Sequence, residues 1–124
     1  MSIGEFFSIT ASNTILYCHN WKDTVIFYRD ILELPTTFTS DWFVEFQISS
    51  TAYLSIADER RATIKSSRGQ GVTLTFRVDN VNEAWKHLSA RGIKLGPIRD
   101  HAWGARVFYF YDPEGYRLEI WSPT

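Results

Sequence analysis

The chain has 124 residues, of which 44% are hydrophobic, 16% aromatic and 22% charged, and its formal net charge is −1. The length suits one soluble globular domain, and the near-neutral charge disfavours nucleic acid and anionic membrane as main partners. The basic residues Arg60, Arg61, Lys65 and Arg68 lie in a stretch that also contains Ser and Gly, and we interpret this stretch as a solvated linker.

The cysteine content and the first residues bear on the compartment. Cys18 is the single cysteine, so an internal disulfide is excluded and no oxidising environment is indicated. The opening "MSIGEFFSIT" lacks the basic region and the long apolar run of a signal peptide, and no window has the length of a transmembrane helix. We therefore expect a cytoplasmic protein with Cys18 as an inert buried thiol.

The first half of the chain reads as a strand, a helix and further strands. "NTILYC" (residues 13–18) is extended and apolar, and residues 22–32 place Val25, Tyr28 and Leu32 at helical spacing. "DWFVEFQIS" and "TAYLSIAD" are typical of two further strands.

The second half repeats this plan. "VTLTFRV" (residues 72–78) alternates as a strand does, and "DNVNEAWKHLSARG" predicts a helix with Asp79 or Asn80 as its N-cap and Gly92 as its C′ stop. Strands are predicted near residues 94–99, 106–111 and 116–121. The halves match at an offset of about 60 residues, with Asn20 falling on Asn80, so one supersecondary unit is repeated.

This repetition predicts an α+β fold of two βαβββ modules within a single domain, residues 1–124. Module 1 covers about 11–58, the linker about 59–70 and module 2 about 71–124. We expect a pseudo-two-fold relation between the modules, with curved mixed sheets around a cavity and the helices outside.

The closing stretch "YDPEGYRLEIW" combines a tight turn with a strand. Asp starts the turn, Pro presets its second position and Gly closes it. In the strand that follows, Arg117, Glu119 and Trp121 share the face opposite Leu118 and Ile120. Glu119 could be a metal ligand, a catalytic group, or a carboxylate paired with Arg117 or Arg77, and the pattern leaves these three readings open.

Three stretches carry a resemblance to a known superfamily. "WKDTVIFYRDILEL", "VDNVNEAWKHLSARG" and "WGARVFYFYDPEGYRLEIW" resemble the first helix, the second-module helix and the closing hairpin of the glyoxalase / bleomycin-resistance / extradiol-dioxygenase proteins, also called vicinal oxygen chelate proteins. The resemblance implies paired βαβββ modules that form an open cavity, usually in a homodimer.

The resemblance also implies where a metal would be held. Carried onto this chain, the four ligand positions of the family's metal enzymes are Asn13, Ser55, Thr73 and Glu119. Transition ions favour imidazole and carboxylate ligands, and of these four groups Glu119 alone is one. We therefore expect no metal and no cofactor; among the histidines, His101 is the best candidate for a role in a site.

Strand parity names the expected wall of the cavity. The side chains that parity turns towards the cavity combine aromatic rings with a few polar groups, as small-molecule pockets do. Trp42 and Trp103 are added from loops because their rings suit ligand stacking. The candidate ligand-binding residues are Asn13, Tyr17, Trp42, Tyr53, Ser55, Thr73, Thr75, Arg77, Trp103, Arg117, Glu119 and Trp121.

The residues and the resemblance together favour a metal-independent protein of the bleomycin-resistance type, which binds or sequesters a small, aromatic molecule and so confers antibiotic resistance. Arg77 and Arg117 make a neutral or anionic ligand more suitable than a cation. The alternative is a lyase, isomerase or oxygenase that uses Glu119 as base or metal ligand; a module that only dimerises is a third reading. The expected partners are the ligand and a second copy of the chain, with domain swapping left open.

Overall fold

A computed structural model describes residues 3–124. The chain forms two compact units, the first running to Ser66 and the second from Ser67 to Thr124. Each unit has one strand, one helix and then three strands, and each builds a four-stranded mixed sheet. The predicted α+β class with two βαβββ modules is confirmed.

The first unit orders its strands β1-β4-β3-β2, with β4 parallel to β1 and antiparallel to β3. Its first helix widens into a π-helix, where the amide of Leu32 donates to the carbonyl of Phe27 at 3.0 Å. The elements are β1 (Ser12–Cys18), α1 (Trp21–Ile26), the π-helix (Phe27–Ile31), β2 (Thr36–Thr39), β3 (Phe43–Ser49) and β4 (Ala52–Asp58).

The second unit repeats this topology with the strand order β5-β8-β7-β6, in which β8 is parallel to β5 and antiparallel to β7. The elements are β5 (Thr73–Arg77), α2 (Val81–Ser89), β6 (Arg99–His101), β7 (Ala105–Tyr111) and β8 (Arg117–Pro123). No helix within residues 3–124 has both the length and the apolar character needed to cross a membrane.

Two strand predictions need correction. Strand β2 was not recognised in the sequence, because this short edge strand is exposed throughout and shows no apolar alternation. The strand predicted at 94–99 lies instead at Arg99–His101. The segment before this strand is held by single hydrogen bonds and not by strand pairing. The amide of Gly96 donates to the carbonyl of Tyr109, and the carbonyl of Gly96 accepts from Trp85 Nε1.

The second helix shows which of the two candidate residues caps it. Asn80 Oδ1 accepts from the amide of Glu83 at 3.1 Å, so Asn80 rather than Asp79 is the N-cap. The helix ends at Ser89 with Ala90 as its C-cap. Gly92, predicted at the C′ position, takes a φ of +80° two residues after that cap.

Each unit buries one face of its sheet. In the first unit α1 contacts β1 and β4, and Leu16, Leu54 and Ile56 are buried. In the second, α2 contacts β7 and β8, and Leu118 and Ile120 are buried. Each such side chain contributes about 1.5–3 kcal/mol on burial. The side chains at the alternate positions of these strands are therefore the ones left for a site.

The four cations of the basic stretch are exposed, as a solvated segment requires, and local hydrogen bonds also hold the stretch. A 3₁₀ turn spans Glu59–Arg61, and the Arg60 guanidinium donates to Asp58, which lowers the pKa of that carboxyl below its usual range. Lys65 Nζ donates to the carbonyls of Glu59 and Ala62. These contacts anchor the stretch to the end of β4.

The turn between β7 and β8 is built around one carboxylate. Asp112 Oδ1 accepts from the amides of Glu114, Gly115 and Tyr116 at 2.9–3.0 Å. The segment at Gly69 crosses this turn so closely that a Cβ on Gly69 would lie 1.9 Å from the carbonyl oxygen of Gly115. Gly69 and Gly115 both have positive φ, so glycine is required at this crossing for conformation as well as for space.

We predict that Asp112→Ala lowers the free energy of unfolding by about 2–4 kcal/mol, because buried amides lose their acceptor. Asp112→Asn, which keeps one oxygen, should lose less. Urea unfolding measures both. The control is Asp41→Ala, a side chain 79% exposed, which should change stability by less than about 0.5 kcal/mol. Equal midpoints for Asp112→Ala and the control would contradict this account of the turn.

Candidate functional site

The polar face of the second unit is the face of its sheet that carries Thr73, Thr75 and Arg77 on β5 and Arg117, Glu119 and Trp121 on β8. The register sets Thr73 opposite Arg117, Thr75 opposite Glu119 and Arg77 opposite Trp121. The intervening Leu74, Leu118 and Ile120 are buried, whereas the polar-face residues are exposed or half-buried. The division of faces expected from strand parity therefore agrees with the burial.

Glu119 lies at the centre of this face and is held by hydroxyl groups. Thr75 Oγ1 donates to Glu119 Oε1 at 2.5 Å. Tyr109 lies opposite Glu119 on β7 and is hydrogen-bonded to it; burial first, and then this carboxylate, raise the pKa of Tyr109 above its ordinary value. The reading in which Arg117 or Arg77 pairs with Glu119 is corrected: two hydroxyls satisfy the carboxylate.

The arginines of this face instead contact aromatic rings. The Arg77 guanidinium lies 5.3 Å from the centre of the Trp121 ring, and that of Arg117 lies 4.8 Å from the Tyr109 ring. Arg117 Nε also donates to Thr73 Oγ1 at 3.0 Å. Cation–π stacking uses the flat side of a guanidinium, so the N–H groups at its edge stay available to other partners.

An aromatic row extends from Trp121 to the turn between β6 and β7. Trp103 in that turn is 66% exposed; its ring lies 6.3 Å from that of Trp121 and stacks on His101 at 5.5 Å. His101 Nε2 is buried and has no hydrogen-bond partner among residues 3–124. A buried polar atom left unpaired costs about 1–3 kcal/mol. Because this atom is buried, a ligand on the exposed face does not reach it directly.

The polar face of the first unit carries Asn13, Tyr17, Tyr53 and Ser55. Ser55 Oγ donates to Asn13 Oδ1 at 2.8 Å, and Tyr53 lies opposite Asn13 in the register. Tyr17 is half-buried and lies opposite Ala57. The structure thus brings Asn13 and Ser55 into direct contact.

Sequence reasoning missed Glu45 on this face. Glu45 lies opposite Ser55, and Asn13 Nδ2 donates to it at 3.4 Å. The register between β2 and β3 shifts near Thr37, whose Oγ1 donates to Glu45 Oε1 at 2.7 Å. Alternation along "DWFVEFQIS" could have placed Glu45 on the other face of the strand from Val44 and Phe46. The bulge that brings Thr37 to Glu45 could not have been found in the same way, because the sequence of one strand does not show where a bulge lies.

The two candidate residues in loops, Trp103 and Trp42, have different surroundings. Trp103 contacts Trp121, so it joins the face of the second unit. Side-chain contacts on this face form two groups, which the strand register places side by side: Arg77, Trp121, Trp103 and His101 in one, and Thr73, Arg117, Tyr109, Glu119 and Thr75 in the other. Trp42 lies in the turn before β3, where its ring packs edge-on against Phe43 at 5.5 Å. No contact joins Trp42 to the Asn13–Ser55 pair within the described part of the chain.

A cavity of about 260 Å³ lies elsewhere in the first unit, where Trp21 and Val25 of α1 approach Thr39 and Val44. Trp21 Nε1 donates to the carbonyl of Ile56. Arg29 at the rim is paired with Asp30. These polar groups are already used within the fold, so the cavity offers less to a ligand than the polar faces do.

Comparison with known proteins identifies the family. The glyoxalase-like domain family matches residues 11–124. The chain belongs to this family. A relative of this glyoxalase-like protein is the uncharacterized protein YraH of Bacillus subtilis (strain 168), which is 29% identical over 119 residues that span 86% of this chain and 93% of YraH.

Solved structures share the fold. A lactoylglutathione lyase from Agrobacterium tumefaciens is 23% identical, with a TM-score of 0.77 over 94% of this chain and 95% of its own. A glyoxalase/bleomycin resistance protein/dioxygenase from Nocardioides is 25% identical, with a TM-score of 0.74 over 94% of this chain and 83% of its own. The resemblance to the vicinal oxygen chelate superfamily is confirmed.

The four positions that the superfamily implies for a metal carry groups that do not fit one. Asn13 and Ser55 hydrogen-bond to each other, and Thr73 accepts from Arg117, whose positive charge would repel a cation. Glu119 holds Thr75 and Tyr109. Within residues 3–124 no group of three or more His, Cys, Asp and Glu side chains is placed to hold an ion. This donor set fits a catalytic transition ion poorly.

We predict that protein purified without chelator contains well under one equivalent of zinc, nickel, manganese or iron per chain. Asn13 and Ser55 are weak ligand types that hydrogen-bond to each other, and Thr73 accepts a hydrogen bond from Arg117. Elemental analysis of the purified protein tests this, with Glu119→Gln as the matched variant. Near-stoichiometric metal that disappears in Glu119→Gln would show that Glu119 is a ligand after all.

Proposed function

We propose that this glyoxalase-like protein binds and sequesters a planar aromatic small molecule at the polar face of its second unit, without a metal and without turnover. The observation that carries the proposal is the exposed row of rings from Trp121 to Trp103 beside the Arg77 guanidinium. A role in antibiotic resistance would follow if the bound molecule were a drug, since sequestration keeps it from its target.

The rings supply the binding energy in this proposal. An aromatic contact contributes about 0.5–1.5 kcal/mol beyond the area that it buries, and two or three such contacts support micromolar affinity, near −8 kcal/mol.

Glu119 is held by two hydroxyl groups, those of Thr75 and Tyr109. A general base must be within reach of the proton that it removes. A carboxylate has about four acceptor sites, so these two hydrogen bonds leave room for a further partner. The preference for binding over catalysis therefore rests on the exposed rings and not on Glu119.

We predict that Trp121→Ala weakens binding of naphthalenecarboxamide, a planar two-ring probe, by roughly tenfold, or about 1.4 kcal/mol, because a stacking surface is lost. Quenching of tryptophan fluorescence by the probe measures the affinity. The matched control is Trp85→Phe, which removes a tryptophan of α2 whose Nε1 donates to the carbonyl of Gly96, and it should leave the affinity unchanged.

Two outcomes would contradict the proposed function. Affinity that is the same in wild type, Trp121→Ala and Trp103→Ala would place the ligand away from this face. A chemical product that forms during incubation with a candidate substrate, and is lost in Glu119→Gln, would favour the enzyme alternative.

We also propose that two copies of the chain associate. Phe6, Phe7 and Ile9, which precede the edge strand β1, are each more than half exposed. Exposed edges and apolar side chains are commonly covered by association. Light scattering should therefore return a mass of about 29 kDa, which is twice the chain mass of 14.4 kDa. A single-chain mass at micromolar concentration would contradict the homodimer.

A further inference from the structure

A third arginine shares the polar face of the second unit with Arg77 and Arg117. The register places Arg99 of β6 opposite Val107, Val107 opposite Trp121, and Trp121 opposite Arg77. One row of residues therefore crosses all four strands of this sheet, with an arginine at each end.

The middle of this row is apolar. Strands lie about 4.8 Å apart, so the Cα atoms of Arg77 and Arg99 are separated by about 14 Å, with Trp121 and Val107 between them. Arg117 lies on the same face of β8, where its guanidinium stacks on Tyr109. Val107 is fully buried. The accessible part of the face therefore combines the rings of Trp121 and Tyr109 with one carboxylate, Glu119, and three cations.

These three arginines lack carboxylate partners. No ion pair joins Arg77, Arg99 or Arg117 to an Asp or Glu among residues 3–124. Glu119, the carboxylate on the same face, accepts hydrogen bonds from Thr75 and Tyr109, and Asp100 beside Arg99 pairs with Arg106. Four other arginines do have such partners: Arg29 with Asp30, Arg60 with Asp58, Arg61 with Asp41 and Arg106 with Asp100.

We infer that the ligand of this face is an aromatic anion, a planar ring that carries a carboxylate or a comparable anionic group. Contacts with the rings of Trp121 and Tyr109 position two guanidinium groups, and Arg117 Nε already donates to Thr73. The N–H groups that remain on each guanidinium suit the two-oxygen geometry of such a group. The rings would hold the planar part of the ligand while the arginines recognise its charge. This inference rests on the proposed aromatic binding function and adds the ligand's charge to it.

Three probes of one shape test the inference: naphthalenecarboxylate, its neutral carboxamide, and the cationic aminomethyl compound. The carboxylate should bind at least about tenfold more tightly than the carboxamide, because hydrogen bonds to charged groups are the stronger ones. The advantage should shrink when ionic strength rises from about 0.01 M to about 1 M, which shortens the Debye length from about 30 to about 3 Å. Titration calorimetry measures each affinity.

Variants then assign the effect to the arginines. Arg77→Gln and Arg117→Gln should each weaken carboxylate binding by a factor roughly three to ten times larger than the factor by which they weaken carboxamide binding, because each guanidinium also positions a ring that both probes contact. The control Lys86→Gln removes the same charge from α2, where Lys86 is paired with Glu83, and should leave both affinities unchanged. Circular dichroism checks that each variant is folded.

The outcomes separate this inference from the function on which it rests. Equal affinity for carboxylate and carboxamide, or a preference for the amine, would overturn the anionic ligand and leave the aromatic site standing. A carboxylate preference that persists in both arginine variants would overturn the role given to Arg77 and Arg117. Failure of all three probes to bind would remove the proposed function together with the inference.

Discussion

The parallel pairing of the first and last strands in each unit is the constraint on which the candidate site depends. It brings Ser55 beside Asn13, 42 residues earlier, and Glu119 beside Thr75, 44 residues earlier. Parallel neighbours require a crossover connection, and the helix in that connection covers one face of the sheet. The opposite face is consequently where polar side chains from distant parts of the sequence can meet.

On the polar face of the second unit, the carboxylate and the arginines have different kinds of partner. Hydroxyl groups satisfy Glu119, whereas aromatic rings position Arg77 and Arg117. The face carries Arg77, Arg99 and Arg117 against the single carboxylate of Glu119, so it keeps an excess of positive charge although the whole chain is slightly negative.

The β7–β8 hairpin carries half of the strands that form this face. Its turn depends on the Asp112 carboxylate and on the close crossing of Gly69 and Gly115, and its two strands carry Tyr109, Glu119 and Trp121. A loosened turn would disturb the register that sets Tyr109 opposite Glu119. Stability at the turn and geometry at the site are thus linked through one pair of strands.

Except for β2, the sequence by itself determined the order of the helices and strands. It also determined the turn at Asp112 and the faces of β5 and β8, because strand alternation and turn chemistry are local properties. It did not reveal β2, or the parts played by Glu45, Arg99 and Tyr109. The partners of Glu119 also had to come from the tertiary structure: Arg117 is nearer along the chain, yet Thr75 and Tyr109 bind the carboxylate. Register between strands that are far apart in sequence, together with the bulge at Thr37, decides which side chains meet, and a single strand carries no record of it.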